Sequence, residues 1–357
     1  MAYDEQELKD DFMRKSREMD TRIKIALIGQ PGAGKSSLIN ALTGKHLFET
    51  GEHTDTTISR QEAKLGSLTI VDLPGYGTKR FPLSNWLDQY KPEELDLYLF
   101  VFDGKLHESD SDLFQHFKKW KSEREHPYFI VRNKEDQIWN DTKSLQELKN
   151  DIIKDVNSKM GNSSLTTKVY FTSCRTKEGI SELKEDVLSS DVPAVLRSKM
   201  IANFKATSKE DLKRKREVCM SNLDWYAYSA AANGVNPIPG LDAGLDITII
   251  LSMFARVRNV FDLEEQCLVK YQLLLPLGRK VFDVATREGV MILLKNLGKK
   301  YVAKGVYKYI PLIGQVVSAV AGYKMVYAIG ESYIQDCYEL ADAILERTLD
   351  DCRRKNL

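Results

Sequence analysis

The sequence predicts an α/β domain, a mostly parallel sheet covered by helices on both faces, followed by an all-α half. Three observations carry this. Short apolar runs alternate with helix-like stretches up to about residue 190, the pattern of strand–helix–strand crossovers. From Val192 onward no strand-like alternation remains, and the chain becomes a series of long helical patterns. Finally, Gly29-Gln30-Pro31-Gly32-Ala33-Gly34-Lys35-Ser36 lies between the apolar run Ile23 to Ile28 and the helix-like run Ser37 to Leu42. That is a G-x-x-x-x-G-K-[ST] loop in strand–loop–helix context.

Residues 4–20 read as a short charged helix. Next come a strand at 23–28, a helix from 35, a strand pair around Gly66, a strand at 95–101 and a helix near 109–124. A strand at 128–131, a helix near 144–159, a strand at 168–172 and a helix at 179–188 complete the alternation. A phosphate site in such a sheet lies at the C-terminal ends of the strands. Residues 1–20, 21–190 and 191–357 are therefore expected as N-terminal helix, nucleotide domain and helical domain.

The loop chemistry follows from residue type. Backbone N–H groups at Gly29, Gly32, Ala33 and Gly34 wrap phosphate oxygens, Lys35 reaches the β and γ phosphates, and Ser36 ligates Mg²⁺. Ser37 continues the helix start, whose dipole adds positive potential. The strand Leu68 to Asp72 ends in D-x-x-G: Asp72 approaches Mg²⁺, and the Gly75 amide approaches the γ-phosphate. Further on, Asn133-Lys134-Glu135-Asp136 gives N-K-x-D. The Asp136 carboxylate accepts guanine N1–H and the exocyclic amine, a pair of donors adenine lacks, so the expected cofactors are GTP or GDP with Mg²⁺. Asn133 either binds another base edge or braces the loop, and the Lys134 stem lies over the ring. The backbone at Ser173 and Cys174 reaches the guanine carbonyl. In the polar stretch Glu52 to Ile58, Thr57 is favoured over Thr54 and Thr56 as the switch threonine, its hydroxyl on Mg²⁺ and its amide on the γ-phosphate.

Composition narrows the alternatives. The 357 residues carry 52 Lys and Arg against 51 Asp and Glu, a formal charge of +1, so no global pull toward nucleic acid exists. Five cysteines without C-x-x-C suggest neither a disulfide framework nor zinc. The acidic start Met1-Ala2-Tyr3-Asp4-Glu5 is no signal peptide, Ala2 excludes N-myristoylation by motif, and the Arg354-Lys355-Asn356-Leu357 end excludes prenylation. A cytoplasmic protein is expected.

In the helical half, Asn236-Pro237-Ile238-Pro239-Gly240-Leu241 and Ile310-Pro311-Leu312-Ile313-Gly314 each precede an apolar helix, as paired openings of a buried hairpin. Neither helix reaches the roughly 20 apolar residues of a membrane span. Lys213-Arg214-Lys215-Arg216 sits among Glu210, Asp211 and Glu217 and reads as a solvated face. Lys300, Lys304 and Lys308 recur at i, i+4, i+8; this stripe reads either as a plain exposed face or as a peripheral contact with an anionic membrane.

The P-loop, the Asp72-Leu73-Pro74-Gly75-Tyr76-Gly77-Thr78 segment, the threonine-rich switch and the helical half with two Ile-Pro openings together resemble the immunity-related GTPases, an interferon-inducible, dynamin-like group. The resemblance covers nearly the whole chain. It implies a Ras-like G domain on a helical domain built from both chain ends, with residues 1–20 packed on the C-terminal half. It also implies homo-oligomeric assembly in the GTP state, at intracellular membranes, in cell-autonomous defence. Lys35 matches the members with lysine in the loop, regarded as assembling effectors, whereas Ala2 departs from members that carry glycine for myristoylation. Lys35, Thr57 and Gly75 are the catalytic candidates. Tyr76 stands where Ras-like enzymes often place a water-orienting glutamine, so slow hydrolysis by a monomer is expected, with switch I or a second subunit supplying the missing group. The competing expectation is a GTP-binding scaffold that hydrolyses little and recruits partners.

Overall fold

Strand alternation builds the first half of the molecule. In β1 (Ile23–Gly29), Ile25 and Leu27 face one side while Ala26 and Ile28 face the other. In β4 (Leu97–Phe102), Leu97, Leu99 and Val101 oppose Tyr98, Phe100 and Phe102 in the same way. Both faces are apolar because both are covered, as a parallel sheet requires. The computed structural model describes residues 5–50, 60–76, 82–161, 167–233, 247–263, 275–303 and 319–355. Two compact units emerge, Thr21–Phe204 and Met1–Asp20 with Lys205–Leu357.

The first unit contains a six-stranded sheet in the order β2-β3-β1-β4-β5-β6, with β2 (Gln61–Leu65), β3 (Leu68–Asp72), β5 (Tyr128–Arg132) and β6 (Val169–Phe171). β2 runs antiparallel to β3, joined through Gly66 at φ +57°, and all other pairs are parallel. The register sets Leu27 beside Asp72, Gly29 beside Val101, Phe102 beside Arg132 and Arg132 beside Phe171. Five parallel strands thus end along one edge, and the loops leaving that edge carry every motif of the candidate site. One face packs on α2 (Lys35–Thr43) and α6 (Ile180–Val187) through Leu38, Ile39, Leu42, Leu183 and Val187. The other packs on α4 (Glu108–Arg124) and α5 (Leu145–Lys159) through Phe114, Phe117, Trp120 and Val156.

Two helices are not marked by the sequence pattern. α3 (Leu83–Tyr90) follows Pro82 and buries Trp86 and Tyr90. α7 (Ala194–Asn203) carries the first unit beyond residue 190, because Met200 and the following Phe204 join the core on the α2 face.

In the second unit, α1 (Glu5–Asp20) stacks Phe12 on Trp225 of α8 (Lys209–Asn233), ring centroids 6.1 Å apart. α12 (Ala319–Lys355) runs along α8, and Gly330 permits the approach: a Cβ there would stand 2.2 Å from Leu223 Cδ1. α9 (Ile247–Val260) contributes Phe254, stacked on Tyr333 with centroids 3.8 Å apart, and Tyr333 donates its hydroxyl to the Val281 carbonyl of α10 (Leu275–Phe282) at 3.1 Å. Within the basic run Lys213 is exposed and faces Glu210, but Lys215 departs from the solvated face expected: it is 1% exposed and donates to the Val260 carbonyl and, at 3.5 Å, to Asp262. A lysine with an apolar stem satisfies the last carbonyl of α9 from inside the core. Lys300 lies on α11 (Arg287–Ala303). Its side chain, Lys304, Lys308 and both Ile-Pro openings lie outside the described residues. Among those described, no helix is long and apolar enough to cross a membrane.

Candidate nucleotide site

The loop between β1 and α2 is shaped by its glycines. Gly32 and Gly34 take φ +74° and +81°, backbone that L side chains adopt only with strain. A Cβ on Gly32 would meet nothing within 4 Å, so that turn faces open space, whereas a Cβ on Gly34 would stand 2.5 Å from Asn133 Nδ2. α2 begins at Lys35 directly after this turn, with Leu38 N donating to the Gly34 carbonyl at 2.9 Å. The helix start therefore presents its first amides at the loop, an anion-binding arrangement.

Lys35 is buried and donates to the Gly29 and Gln30 carbonyls at 3.3 and 3.1 Å. Burial lowers its pKa, and Asp72 and Asp103 oppose that shift. A buried ammonium held by neutral carbonyls is suited to an anion, whose charge offsets the desolvation. Ser36 Oγ donates to Asp72 Oδ2 at 2.7 Å. The hydroxyl from α2 and the carboxylate from the end of β3 thus meet at one point, two hard oxygen donors of the kind Mg²⁺ takes. Ala33 packs in the core and Ser37 lies on the first turn of α2. Gly75 sits against the loop: a Cβ there would stand 2.5 Å from Pro31 Cγ. Thr57 lies outside the described residues.

The guanine motif is a second rigid cluster. Asn133 is buried; its Nδ2 donates to the Ala33 carbonyl at 2.8 Å, and its Oδ1 accepts from Thr172 Oγ1 at 3.1 Å and from Cys174 Sγ at 3.6 Å. Of the two tasks open to Asn133, the geometry displays the brace, which ties the P-loop to the loop after β6. Lys134 turns at φ +54° and pairs with Asp103 at 2.5 Å. Asp136 Oδ1 accepts from Ser173 Oγ at 2.5 Å, and Oδ2 pairs with Arg175 at 2.8 Å. The Ser173 hydrogen bond, helped by the Arg175 charge and opposed by burial, lowers the Asp136 pKa. Burial raises that of the neighbouring Cys174 thiol, which makes it a poor nucleophile.

Tyr76 does not face the phosphate loop as a water-orienting group would. It is 5% exposed, packs on Trp86 with centroids 5.3 Å apart, and donates its hydroxyl to Asp110 Oδ1 at 2.6 Å. Burial and then Asp110 push its pKa well up, so it remains a donor at neutral pH. Sequence reasoning missed Asp103, Asp110 and the Asp136 contact of Arg175. Only Asp110 left a trace, as an acidic residue in the first turn of α4.

A parallel sheet, a glycine loop leading into a helix, a Ser–Asp pair at its mouth and an N-K-x-D cluster define a P-loop GTPase domain. The 50S ribosome-binding GTPase family matches residues 24–134. Interferon-gamma-inducible GTPase 10 of Mus musculus is 26% identical over 265 residues, covering 69% of this chain and 62% of the relative. T-cell-specific guanine nucleotide triphosphate-binding protein 2 of Mus musculus is 25% identical over 344 residues, 90% of this chain and 81% of the relative. The probable GTP-binding protein EngB of Solibacter usitatus is 33% identical over 147 residues, 37% of this chain and 75% of the relative. The relatives spanning most of the chain are interferon-inducible GTPases, so the chain is similar to the immunity-related GTPases. Its first half is a P-loop GTPase domain related to those of the interferon-inducible GTPases, and the residues of its site fit GTP or GDP with Mg²⁺.

Proposed function

We propose that the chain hydrolyses GTP to GDP and phosphate, assembles with copies of itself in the GTP state, and acts peripherally at intracellular membranes in cell-autonomous defence. The observation that carries the catalytic reading is the 2.7 Å bond between Ser36 and Asp72, which brings a P-loop hydroxyl and a strand-end carboxylate to one point. In this reading, amides of Gly32, Ala33 and Gly34 hold phosphate oxygens, Lys35 neutralises the β and γ phosphates, and Ser36, Asp72 and Thr57 hold Mg²⁺. Ser37 and Gly29 complete the cradle, and Gly75 meets the γ-phosphate. Asp136, positioned by Ser173 and Arg175, reads guanine, with Lys134 beside the ring and Cys174 in the adjoining loop. Bound Mg²⁺ supplies charge neutralisation on the transferred phosphoryl group. The domain assignment that goes with it is a G domain over 21–190, to which α7 adds the residues up to Phe204, and a helical domain over the rest of 191–357 that packs residues 1–20.

The membrane and defence parts rest on the family and on the Lys300, Lys304, Lys308 stripe. A scaffold reading has its own support in Tyr76: a side chain committed to Asp110 orients no water, so the monomer turns over slowly. Phosphate release measured with Mg²⁺ and equal GTP or ATP tests the enzyme reading. Release from GTP alone supports it, and release from neither leaves the scaffold.

A further inference from the structure

The Gln30–Asp110–Tyr76 cluster takes no part in the chemistry above, yet it is buried and joins three segments around the site. Asp110, in the first turn of α4, is 1% exposed. Its Oδ1 accepts from the Tyr76 hydroxyl at 2.6 Å; its Oδ2 accepts from the His107 amide at 2.7 Å and from Gln30 Nε2 at 3.3 Å. Gln30 also donates to the Lys105 carbonyl at 2.8 Å. Three hydrogen bonds thus hold the Asp110 side chain in place in the core.

This placement matters for Gly75. The residue before it, Pro74, has its carbonyl held by Trp86 Nε1 at 2.9 Å, and the residue after it is Tyr76. Gly75 itself abuts Pro31, where a Cβ would be 2.5 Å from Cγ. The amide expected to meet a γ-phosphate is therefore suspended between two anchors, one of them ending on Asp110. The same carboxylate reaches the P-loop through Gln30, so both phosphate-facing segments share one fixed point.

We propose that Asp110 is a positioning residue for the Asp72–Tyr76 segment: by holding Tyr76 it fixes the Gly75 amide against the P-loop, and it thereby favours triphosphate over diphosphate without touching nucleotide. The inference rests on the reading of this site as one for GTP.

Tyr76→Phe keeps the ring against Trp86 and removes only the hydroxyl. Dissociation constants for GDP and for a non-hydrolysable GTP analogue, measured with Mg²⁺, give the readout. The analogue should bind about five- to tenfold more weakly, the scale of one typical lost hydrogen bond, while GDP stays within about twofold. Asp110→Ala should lose at least as much, since it also releases Gln30 and the His107 amide, and adding Tyr76→Phe to it should cost nothing further, because the Tyr76 contact is already gone. If Asp110→Ala does not fold, Tyr76→Phe decides alone. A purely structural contact would lower the melting temperature and move both affinities together; an unchanged ratio overturns the proposal, as does a ratio shifted toward the triphosphate. Wild-type protein with no affinity for either nucleotide would remove the site reading itself, a result distinct from a bound but unshifted variant.

Discussion

Replacing Asp136 with asparagine tests base recognition with little disturbance of the fold. In the structure its two oxygens have separate partners, Ser173 Oγ at 2.5 Å and Arg175 at 2.8 Å. The Arg175 side chain is largely exposed, so the ion pair contributes at most about 1 kcal/mol and its loss should barely shift the melting temperature. Guanine presents N1–H and an exocyclic amine, both donors, to a carboxylate. Turning one oxygen into an amide nitrogen removes a charge-assisted bond and sets donor against donor. A cost of about 3 kcal/mol follows, a little over two orders of magnitude in GTP affinity. Xanthine carries a carbonyl at that position, so xanthosine triphosphate should regain most of the loss. Competition of each nucleotide against a fluorescent GDP analogue measures both. The pH dependence has a defined sign: the folded-state pKa of Asp136 is lowered, chiefly by Ser173. Its stabilisation is complete above the unfolded aspartate value and is lost only as pH falls through the lower folded value. GTP binding should therefore hold through the ordinary aspartate range. A folded Asp136→Asn variant that still prefers GTP would refute the assignment of this carboxylate to the base.

Lys35→Met should weaken GTP binding by about a hundredfold, the loss of a charged donor to phosphate. In nucleotide-free protein the lowered Lys35 pKa means that protonation disfavours folding, so wild type should gain stability relative to Lys35→Met as pH rises toward the ordinary lysine value. Parallel melting curves across that range would contradict the burial argument. Exchanging Lys300, Lys304 and Lys308 together for Glu should reduce binding to vesicles containing anionic lipid by about two orders of magnitude, at about 1 kcal/mol per lysine, with GTP affinity unchanged. Equal partitioning of both proteins in a sedimentation assay would return the stripe to an exposed face.

The sheet was legible because its evidence is local. Apolar runs such as Leu97 to Phe102, the glycine loop and the order of D-x-x-G before N-K-x-D can each be read within a few residues. What stayed hidden depends on contacts between distant segments. Tyr76 meets Asp110 across 34 positions, and nothing in the text around Tyr76 separates a core tyrosine from one facing substrate. Asn133 carried two readings in sequence, and only the approach of Ala33, 100 residues away, displays it as a brace. Lys215 looked solvated because charge runs usually are; its burial depends on where α9 ends. α3 was missed because eight residues after a proline give too little periodicity to register.

The central claim of the proposed function is that GTP-bound copies of the chain assemble and hydrolyse GTP faster together than alone. Specific GTPase activity measured over a roughly hundredfold range of protein concentration, with Mg²⁺ and saturating GTP, tests it most directly. An assembling GTPase gives activity per molecule that rises with concentration, by mass action toward the competent dimer, and a larger species with GTP analogue than with GDP. Flat specific activity with a single monomer peak in every nucleotide state would contradict it.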